Sequence, residues 1–300
     1  MRSMIMLNKK IKYSIDILIL SFILINPVNA KQPNLELNWE LEGLHNPESA
    51  VYDPVLNHLY VSNVDGSPID KDRNGFISIV SLDGKIINKK WVTGLNAPKG
   101  LTLHGRTLYT TDIDELVSIN IDNGQITNRF KVDDAKFLND VAADKNGNVY
   151  VSDMALDRIH ILTGGNFDIW IESADLEAPN GLHIQGDEII LGSWGKMTDG
   201  FATEIPGHLK RISIENKTIK SIGDGSSVGN LDGVESDGGE GFYVTDWING
   251  KLIHIKNTGE VTELLDLPKG SADHEVITKK GLIFIPLMMD NKLLSYTVSD

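Results

Sequence analysis

The chain has 300 residues, of which 41% are hydrophobic and 23% charged, and its formal net charge at pH 7 is −14. This composition is typical of a globular protein with enough apolar side chains to form a core. The acidic excess argues against nucleic acid and anionic membranes as partners, because both are negatively charged. The absence of cysteine excludes disulfides, thiolate metal sites and cysteine nucleophiles.

The first 30 residues have the pattern of a secretory signal peptide. Lysines form a basic segment at 9–12, an apolar run follows at 15–25, and Val28 and Ala30 stand at the −3 and −1 positions of a cleavage site. The apolar run is too short to span a bilayer, and an uncleaved anchor is the alternative interpretation. We predict cleavage after Ala30 and a periplasmic or secreted mature protein without a membrane anchor. Its 24 basic and 41 acidic residues give it a formal charge of −17.

A β-rich segment at 34–43 precedes six repeats that extend to the C terminus. Each repeat opens with a short motif and continues with β-rich runs separated by Gly, Asn and Asp turns, which is typical of antiparallel hairpins. The openings are NPESAVYD, APKGLTLH, FLNDVAAD, APNGLHIQ, NLDGVESD and SADHEVIT, at intervals of 40 to 52 residues. Repeats of this length with four strands each predict an all-β, six-bladed β-propeller of four-stranded antiparallel blades.

The last repeat ends without a fourth strand of its own. Pairing the segment 34–43 with the C-terminal strand would complete blade six, close the ring and cover two otherwise exposed strand edges. An open solenoid, the alternative, would leave both edges bare. We therefore predict that residues 31–300 form a single propeller domain closed by its N-terminal strand.

Two repeats carry long connections between their second and third strands, at 64–75 in blade one and 195–207 in blade four. In an up-and-down blade these connections lie on the face from which the first strand starts. Long loops on a rigid scaffold are where binding tends to reside. The sequence therefore predicts a binding site on that face.

One position of the repeat opening carries mostly acidic or amide side chains. Stacking the openings places in one column Glu48, Lys99, Asn139, Asn180, Asp232 and Asp273. A column of the repeat becomes a ring around the axis of the propeller, and four members, Glu48, Asn139, Asn180 and Asp232, offer hard oxygen ligands. Such ligands suit Ca²⁺, with Mg²⁺, Mn²⁺ or Zn²⁺ as alternatives. The other interpretation is that Asn and Asp before Gly only shape turns.

These openings resemble those of the senescence-marker/gluconolactonase family of six-bladed propellers, to which regucalcin belongs, and more distantly those of the paraoxonases. The residues that carry the resemblance are Glu48, Asn139-Asp140 with Asp144, Pro179-Asn180-Gly181-Leu182 and Asp232-Gly233. The chain departs from the family pattern at Ser49-Ala50, where Gly-Pro is common, and at Val141 and Leu231. The resemblance spans the mature chain and is strongest at the openings.

The resemblance implies hydrolysis of a lactone with one divalent cation held by Glu48, Asn180 and Asp232. It places Asn139 beside the metal or the substrate and makes Asp232 the candidate general base. Asp232 could accept a proton from the attacking water. Lys99 is a second candidate catalytic residue because an ammonium group on the ring could stabilise an oxyanion. The alternative for Lys99 is that it extends to solvent or forms an ion pair with Asp273.

Four further residues are candidates for substrate binding: Asp140, Trp194, Asp273 and His274. Trp194 ends the second strand of blade four beside the ring, so it could form an aromatic wall for a substrate or pack between blades. His274 could serve as a second base or as a hydrogen-bonded structural residue.

The leading hypothesis is an exported, metal-dependent hydrolase of a lactone or related ester that acts on a small molecule as a monomer or weak oligomer. The alternative is a non-catalytic periplasmic or extracellular propeller that binds a small molecule or a protein partner at the same face.

Overall fold

The structure, a computed structural model, describes residues 33–299. The predicted signal peptide and its cleavage after Ala30 lie outside the described residues. The helices within 33–299 are two single-turn 3₁₀ segments, Ala174–Leu176 and Thr278–Lys280. No helix in this range is long and apolar enough to cross a membrane.

Strands account for most of the ordered backbone and form six four-stranded antiparallel sheets. The first strand in the chain is β1 (Asn34–Glu42). Blade one contains β2 (Pro47–Asp53), β3 (His58–Asn63), β4 (Gly75–Ser81) and β5 (Ile86–Leu95). Blade two contains β6 (Pro98–His104), β7 (Thr107–Asp112), β8 (Glu115–Asn120) and β9 (Gln125–Lys131). Blade three contains β10 (Leu138–Ala143), β11 (Val149–Asp153), β12 (Arg158–Thr163) and β13 (Asn166–Glu172).

The second half of the chain repeats this order with one insertion. Blade four contains β14 (Pro179–Gln185) and β15 (Glu188–Ser193), then the inserted hairpin β16 (Gly195–Met197) and β17 (Thr203–Pro206), then β18 (Leu209–Ser213) and β19 (Ile219–Ser221). Blade five contains β20 (Leu231–Ser236), β21 (Gly241–Asp246), β22 (Lys251–Lys256) and β23 (Val261–Asp266). Blade six contains β24 (Glu275–Ile277), β25 (Leu282–Leu287) and β26 (Lys292–Ser299), joined by β1.

The six sheets form a closed ring around a central channel. The inner strands β2, β6, β10, β14, β20 and β24 contact one another in this order, and β24 contacts β2. The predicted six-bladed propeller is therefore confirmed.

The ring is closed as predicted, by the N-terminal strand. β1 pairs antiparallel with β26 from Asn34 opposite Ser299 to Glu42 opposite Lys292. Trp39 in β1 packs on Phe284 of β25, with ring centroids 5.8 Å apart, and its Nε1 donates a hydrogen bond to Leu82 O at 3.0 Å. β1 therefore links blade six to blade one as well as completing the sheet.

The hydrophobic core is distributed between neighbouring blades. One buried cluster joins Tyr60 and Ile77 of blade one to Leu101 and Val117 of blade two, and comparable clusters lie between other blades. Second strands such as β3 and β21 are buried along their whole length, because each is covered by a sheet on both faces. This arrangement holds the inner strands rigidly around the channel.

Candidate functional site

A β-bulge places the ring residue of each of the first five blades. The pairing register between the first and second strands shifts by one residue between Pro47 and Ala50 in blade one, and the same shift recurs in blades two to five. A bulge inserts one extra residue and redirects its side chain. The five ring residues all line a cavity of about 480 Å³ at the mouth of the channel: Glu48, Lys99, Asn139, Asn180 and Asp232.

Hydroxyl groups of the second strands fix several of these bulges. Ser62 Oγ accepts a hydrogen bond from Ser49 N, and Thr245 Oγ1 accepts one from Gly233 N, both at 2.9 Å. The backbone N–H that each bulge removes from the strand ladder thus gains a partner. Ser152 does the same in blade three, where its Oγ accepts from Asp140 N at 2.9 Å, so a hydroxyl of the second strand supports the bulge in blades one, three and five.

Blade six departs from the predicted column by one residue. Ser271 pairs with Leu287 and Glu275 pairs with Phe284, so comparison with blade one makes Ala272 the equivalent of Glu48. Asp273 instead takes the position of Ser49, with which it forms a parallel bridge. The ring at the mouth therefore has five polar members and one alanine, and Asp273 lies one layer deeper.

Glu48 has a buried carboxyl group, one oxygen of which accepts no hydrogen bond from the described residues. Its side chain is 5% exposed, and Oε2 has no hydrogen-bond partner among the described residues. Burial, and secondarily the neighbouring carboxyl of Asp232, raise the pKa of Glu48 well above its ordinary value, although Lys99 acts in the opposite direction. An isolated carboxylate in such a place is costly, so Glu48 requires a proton or a cation.

Asp232 and the two amides form a hydrogen-bonded chain across the floor of the cavity. Asn139 Nδ2 donates to Asn180 Oδ1, and Asn180 Nδ2 donates to Asp232 Oδ1 at 3.0 Å and to Leu231 O at 3.0 Å. Burial, followed by the charge of Asp140, raises the pKa of Asp232 to about 8. The bulge of blade four leaves no space for a side chain at Gly181, whose Cβ would collide with Asp232 O. The glycine of the PNGL motif thus permits the close contact between blades four and five.

Lys99 is buried in the ring, so the alternative that it extends to solvent is wrong. It is 2% exposed, its Nζ donates to Ala97 O at 3.1 Å, and Nζ lies 4.6 Å from the centroid of the Phe137 ring. Among the described residues no ion pair joins it to Asp273, whose Oδ2 accepts from Ser49 Oγ at 2.5 Å. Burial lowers the pKa of Lys99 to about 8, with Glu48 opposing the shift. At pH 7 the ammonium is still the main form.

Aromatic and other apolar side chains form the walls of the mouth cavity. Trp194 lies 6.0 Å from Trp247 and 6.5 Å from Phe201, and Phe201 lies 5.0 Å from Phe137, measured between ring centroids. The predicted aromatic wall at Trp194 is thus part of the cavity lining. Phe137 and Phe201 were missed from the sequence because neither recurs in the repeat. The one available signal was the position of Phe201 within the long 195–207 segment.

Two predicted substrate-binding residues, Asp140 and Asp273, line a second cavity of about 230 Å³ instead of the mouth. Asp140 Oδ2 accepts from Leu182 N at 2.6 Å and its Oδ1 from Val141 N at 2.7 Å. Burial is the main cause that raises the pKa of Asp140 to about 7. Three other titratable residues in this cavity were not among the predicted site residues: His183, Glu235 and Glu275.

His274, the fourth predicted substrate-binding residue, lines neither of these two cavities. It is 1% exposed and sits so close to Gly233 that a Cβ there would approach its Nδ1 to 2.6 Å. Burial lowers the pKa of His274 to about 4. A neutral imidazole packed between blades five and six fits a structural role better than contact with a ligand at the mouth.

The donor set at the mouth fits a hard divalent cation. Glu48 contributes an unpaired buried oxygen, Asp232 a second carboxyl group, and Asn139 and Asn180 one amide oxygen each. No three His, Cys, Asp or Glu side chains within 33–299 are grouped to hold a metal, so a cation here would depend on the amides. Oxygen ligands of this mixed kind are those that Ca²⁺ accepts.

A six-bladed propeller with a ring of carboxylate and amide side chains at its mouth defines the class of this protein. A family model described as "SMP-30/Gluconolactonase/LRE-like region" matches residues 47–273. The chain belongs to this family. A search among curated proteins finds no match.

Solved structures of low sequence identity share the fold. A gluconolactonase from Xanthomonas campestris is 12% identical, with 89% of this chain and 90% of that chain covered and a TM-score of 0.67. Virginiamycin B lyase from Staphylococcus aureus is 15% identical, with 88% and 99% covered and a TM-score of 0.60. A chain of a nidogen/laminin complex is 19% identical, with 72% and 78% covered and a TM-score of 0.57. At these identities the similarity shows the fold alone.

Proposed function

We propose that this protein is an exported, metal-dependent hydrolase that opens a lactone or cleaves a related ester at the mouth of the propeller. The observation that carries the proposal is the unpaired, buried Oε2 of Glu48 in a ring that also contains Asp232 and two amides. A protein gains nothing by burying an unpaired carboxyl oxygen beside a second carboxyl group unless a ligand completes the site. Membership of the SMP-30/gluconolactonase/LRE-like family supports the reaction class.

Glu48, Asn180 and Asp232, with Asn139 beside them, would hold the cation, most simply Ca²⁺. When bound, the cation would polarise the ester carbonyl and compensate negative charge that develops on its oxygen. Its positive charge would also favour the ionised form of the two carboxyl groups. This matters because the pKa of Asp232, at about 8, otherwise leaves it protonated at neutral pH and unable to act as a base.

Residues of the chain would provide the remaining functions, which are proton transfer, stabilisation of the substrate oxygen and exclusion of water. Ionised Asp232 accepts a proton from the water whose oxygen bonds to the carbonyl carbon, and it returns this proton to the leaving alkoxide oxygen as the acyl C–O bond breaks. Lys99, held by Ala97 O and the Phe137 ring, donates a hydrogen bond to the carbonyl or carboxylate oxygen of the bound molecule. The apolar walls exclude bulk water and so strengthen both interactions.

The test is a metal analysis of the purified mature protein followed by an activity panel. We expect a bound divalent cation and hydrolysis of lactones or aryl esters that chelation abolishes and added CaCl₂ restores. Calcium should also stabilise the fold, by about 2.7 kcal/mol at a hundred times the dissociation constant.

Bound metal without turnover of any substrate would favour the alternative, a non-catalytic binding propeller. Absence of both metal binding and turnover would contradict the proposal. Cell fractionation of the full-length chain tests the proposed export, which a mature N terminus near Lys31 would support.

A further inference from the structure

The mouth cavity has two chemically different parts. Its polar members are the five ring residues on the floor and one rim residue, Lys269, whose Nζ lies 5.4 Å from the centroid of the Trp247 ring. The remaining lining residues are apolar: Pro68, Phe137, Met154, Trp194, Phe201, Ala202, Trp247, Ile248 and Met288. The walls among the described residues therefore offer contact area and almost no hydrogen-bonding groups.

The aromatic walls are held in place by the backbone beneath them. Trp194 Nε1 donates to Phe201 O at 2.9 Å, which ties the tip of the β16–β17 hairpin to the end of β15. Asn230 Nδ2 donates to Trp194 O at 2.8 Å and to Thr203 Oγ1 at 3.0 Å. Because the hairpin is fixed at both its tip and its second strand, the wall is a preformed surface.

The apolar surface continues outward from the cavity to the rim. Phe201 is 43% exposed and Ile205, in the same hairpin, is 66% exposed. Ile69 and Met289 are also exposed, and both belong to connections between second and third strands, which lie on the mouth face. Exposed apolar side chains grouped around a cavity indicate a surface that binds apolar groups.

Lys99 provides hydrogen-bond donors at the floor of the cavity, where the polar end of a bound molecule would lie. An ammonium group carries three N–H donors, and among the described residues Nζ of Lys99 donates one hydrogen bond, to Ala97 O. It lines the cavity while being 2% exposed. The remaining donors are therefore available to an oxygen of a ligand that occupies the floor.

We propose that the substrate is a hydrophobic lactone or ester, with an alkyl or aryl substituent, and not a polyhydroxylated sugar lactone. Its carbonyl end lies on the ring, and its apolar substituent packs against the continuous aromatic surface whose rings contact one another in the order Trp247, Trp194, Phe201 and Phe137. Several sugar hydroxyls against these walls would lose water without gaining partners, and each such loss is unfavourable. This inference rests on the hydrolase proposed above, whose family includes gluconolactonases by name.

A chain-length series tests it. We would measure kcat/KM for γ-lactones bearing methyl, butyl, hexyl and octyl substituents, with δ-gluconolactone as the polyhydroxylated comparison. Burial of each methylene in the cavity should raise kcat/KM by about two- to fourfold until the substituent leaves the walls. Phe201→Ala should flatten this dependence, and its unaltered thermal unfolding would show that the fold is retained. Val55→Ala is the matched control, because Val55 is exposed in the β2–β3 turn at the opposite end of the blade.

A binding experiment separates failure of this inference from failure of the proposed function. The corresponding 5-alkyl γ-lactams resist hydrolysis, and their affinities can be measured by calorimetry whether or not the protein is an enzyme. Affinity that rises with chain length and falls in Phe201→Ala would support the apolar ligand class even if no lactone is hydrolysed. Preference for δ-gluconolactone, or lactam affinity independent of chain length, would overturn the inference, and the first of these would leave the hydrolase proposal standing.

Discussion

The same channel contains two groups of buried or half-buried titratable side chains, which differ in whether their polar atoms have hydrogen-bond partners within the fold. In the second cavity, Asp140 accepts two backbone N–H groups, Asp273 accepts from Ser49 Oγ, and Glu275 Oε2 accepts from Tyr52 N at 2.7 Å. His183 Nδ1 lies 3.1 Å from Glu235 Oε2. At the mouth, by contrast, Oε2 of Glu48 has no hydrogen-bond partner within residues 33–299.

The second cavity differs from the mouth in that the fold itself supplies partners for its titratable side chains. All the contacts named in the second cavity, apart from the bond between Asp140 and Val141 N of its own strand, join neighbouring blades: Asp140 of blade three reaches Leu182 of blade four, and Asp273 of blade six reaches Ser49 of blade one. These groups are satisfied by the fold itself. The mouth ring is left incomplete by the fold, as expected for groups that a ligand completes. Burial alone therefore does not separate functional from structural carboxyl groups here, whereas hydrogen-bond satisfaction does.

The largest expected effect is on catalysis at the mouth. Asp232→Asn keeps an oxygen that can accept from Asn180 Nδ2 but cannot take a proton from water. With metal at saturation, the variant should remain folded and metal-loaded while turnover falls by about two to four orders of magnitude. Steady-state kinetics at saturating CaCl₂ measure this. Full activity under those conditions would show that Asp232 is only a ligand.

The second expected effect is on stability and comes from the other cavity. Asp140→Ala leaves the N–H groups of Val141 and Leu182 buried without acceptors, and each unsatisfied group costs about 1–3 kcal/mol. We expect the free energy of unfolding to fall by about 2–4 kcal/mol in urea denaturation. Asp133→Ala, at an exposed site in the preceding loop, is the control. Equal stability of the two variants would show that the hydrogen bonds of Asp140 do not stabilise the fold, and the second cavity would then not differ from the mouth in this respect.

The mouth ring could be predicted from the sequence because it is part of the repeat. Every one of blades one to five uses the same bulged opening, so a column of aligned letters becomes a ring of side chains. The prediction was wrong in blade six, where Ala272 takes the ring position. There the strand β24 begins only at Glu275. Because Asp273 is acidic like the other ring residues, the sixth opening was aligned on Asp273 instead of on Ala272, one position too late.

The second cavity and the apolar walls could not be predicted in this way. His183, Glu235 and Glu275 occupy equivalent positions three residues after the ring position, but blades one to three have Val51, Thr102 and Ala142 there, so no column of like residues appears. Phe137 and Phe201 come from a loop before β10 and from an inserted hairpin. Their convergence depends on how far the hairpin reaches over the mouth, which no local pattern specifies.

A smaller effect is expected on metal affinity. Glu48→Gln removes one anionic ligand and retains the shape of the side chain, so the dissociation constant for Ca²⁺ should rise about tenfold or more, equivalent to about 1.4 kcal/mol. Without metal, burial raises the pKa of Glu48 well above its ordinary value and so favours the uncharged form, which Gln resembles, so the stability of the metal-free protein should change little. Calorimetric titration measures the affinity, and Glu204→Gln, exposed in β17 on the same face, is the control. Equal affinities in both variants would exclude Glu48 as a ligand.

The smallest effect expected is a pH dependence that belongs to the second cavity. Burial and then the neighbouring Glu235 raise the pKa of Glu275 from 4.5 to about 8. Between these values the folded protein keeps a proton that the unfolded chain has lost, so stability falls as the pH rises from about 5 to about 8. His183 contributes in the same direction. Burial lowers its pKa, but Glu235 outweighs this and raises it above 6.5, so the stabilisation by its charge is present below 6.5 and is lost as the pH rises through the raised pKa of the folded state.

Glu275→Gln tests the assignment because it removes the titration while retaining an acceptor for Tyr52 N. In the presence of chelator, urea denaturation between pH 5 and pH 8 should give a shallower decline for the variant, by less than the limit of about 1.4 kcal/mol per pH unit for one proton. The difference should be below that limit because Glu275 is partly exposed and water screens its neighbours. Glu215→Gln, at an exposed turn of blade four, should retain the decline of the parent. If Glu275→Gln retains it too, the decline does not originate at Glu275, and the other titratable groups of the cavity, Asp140, Asp273 and His183, become the source to examine.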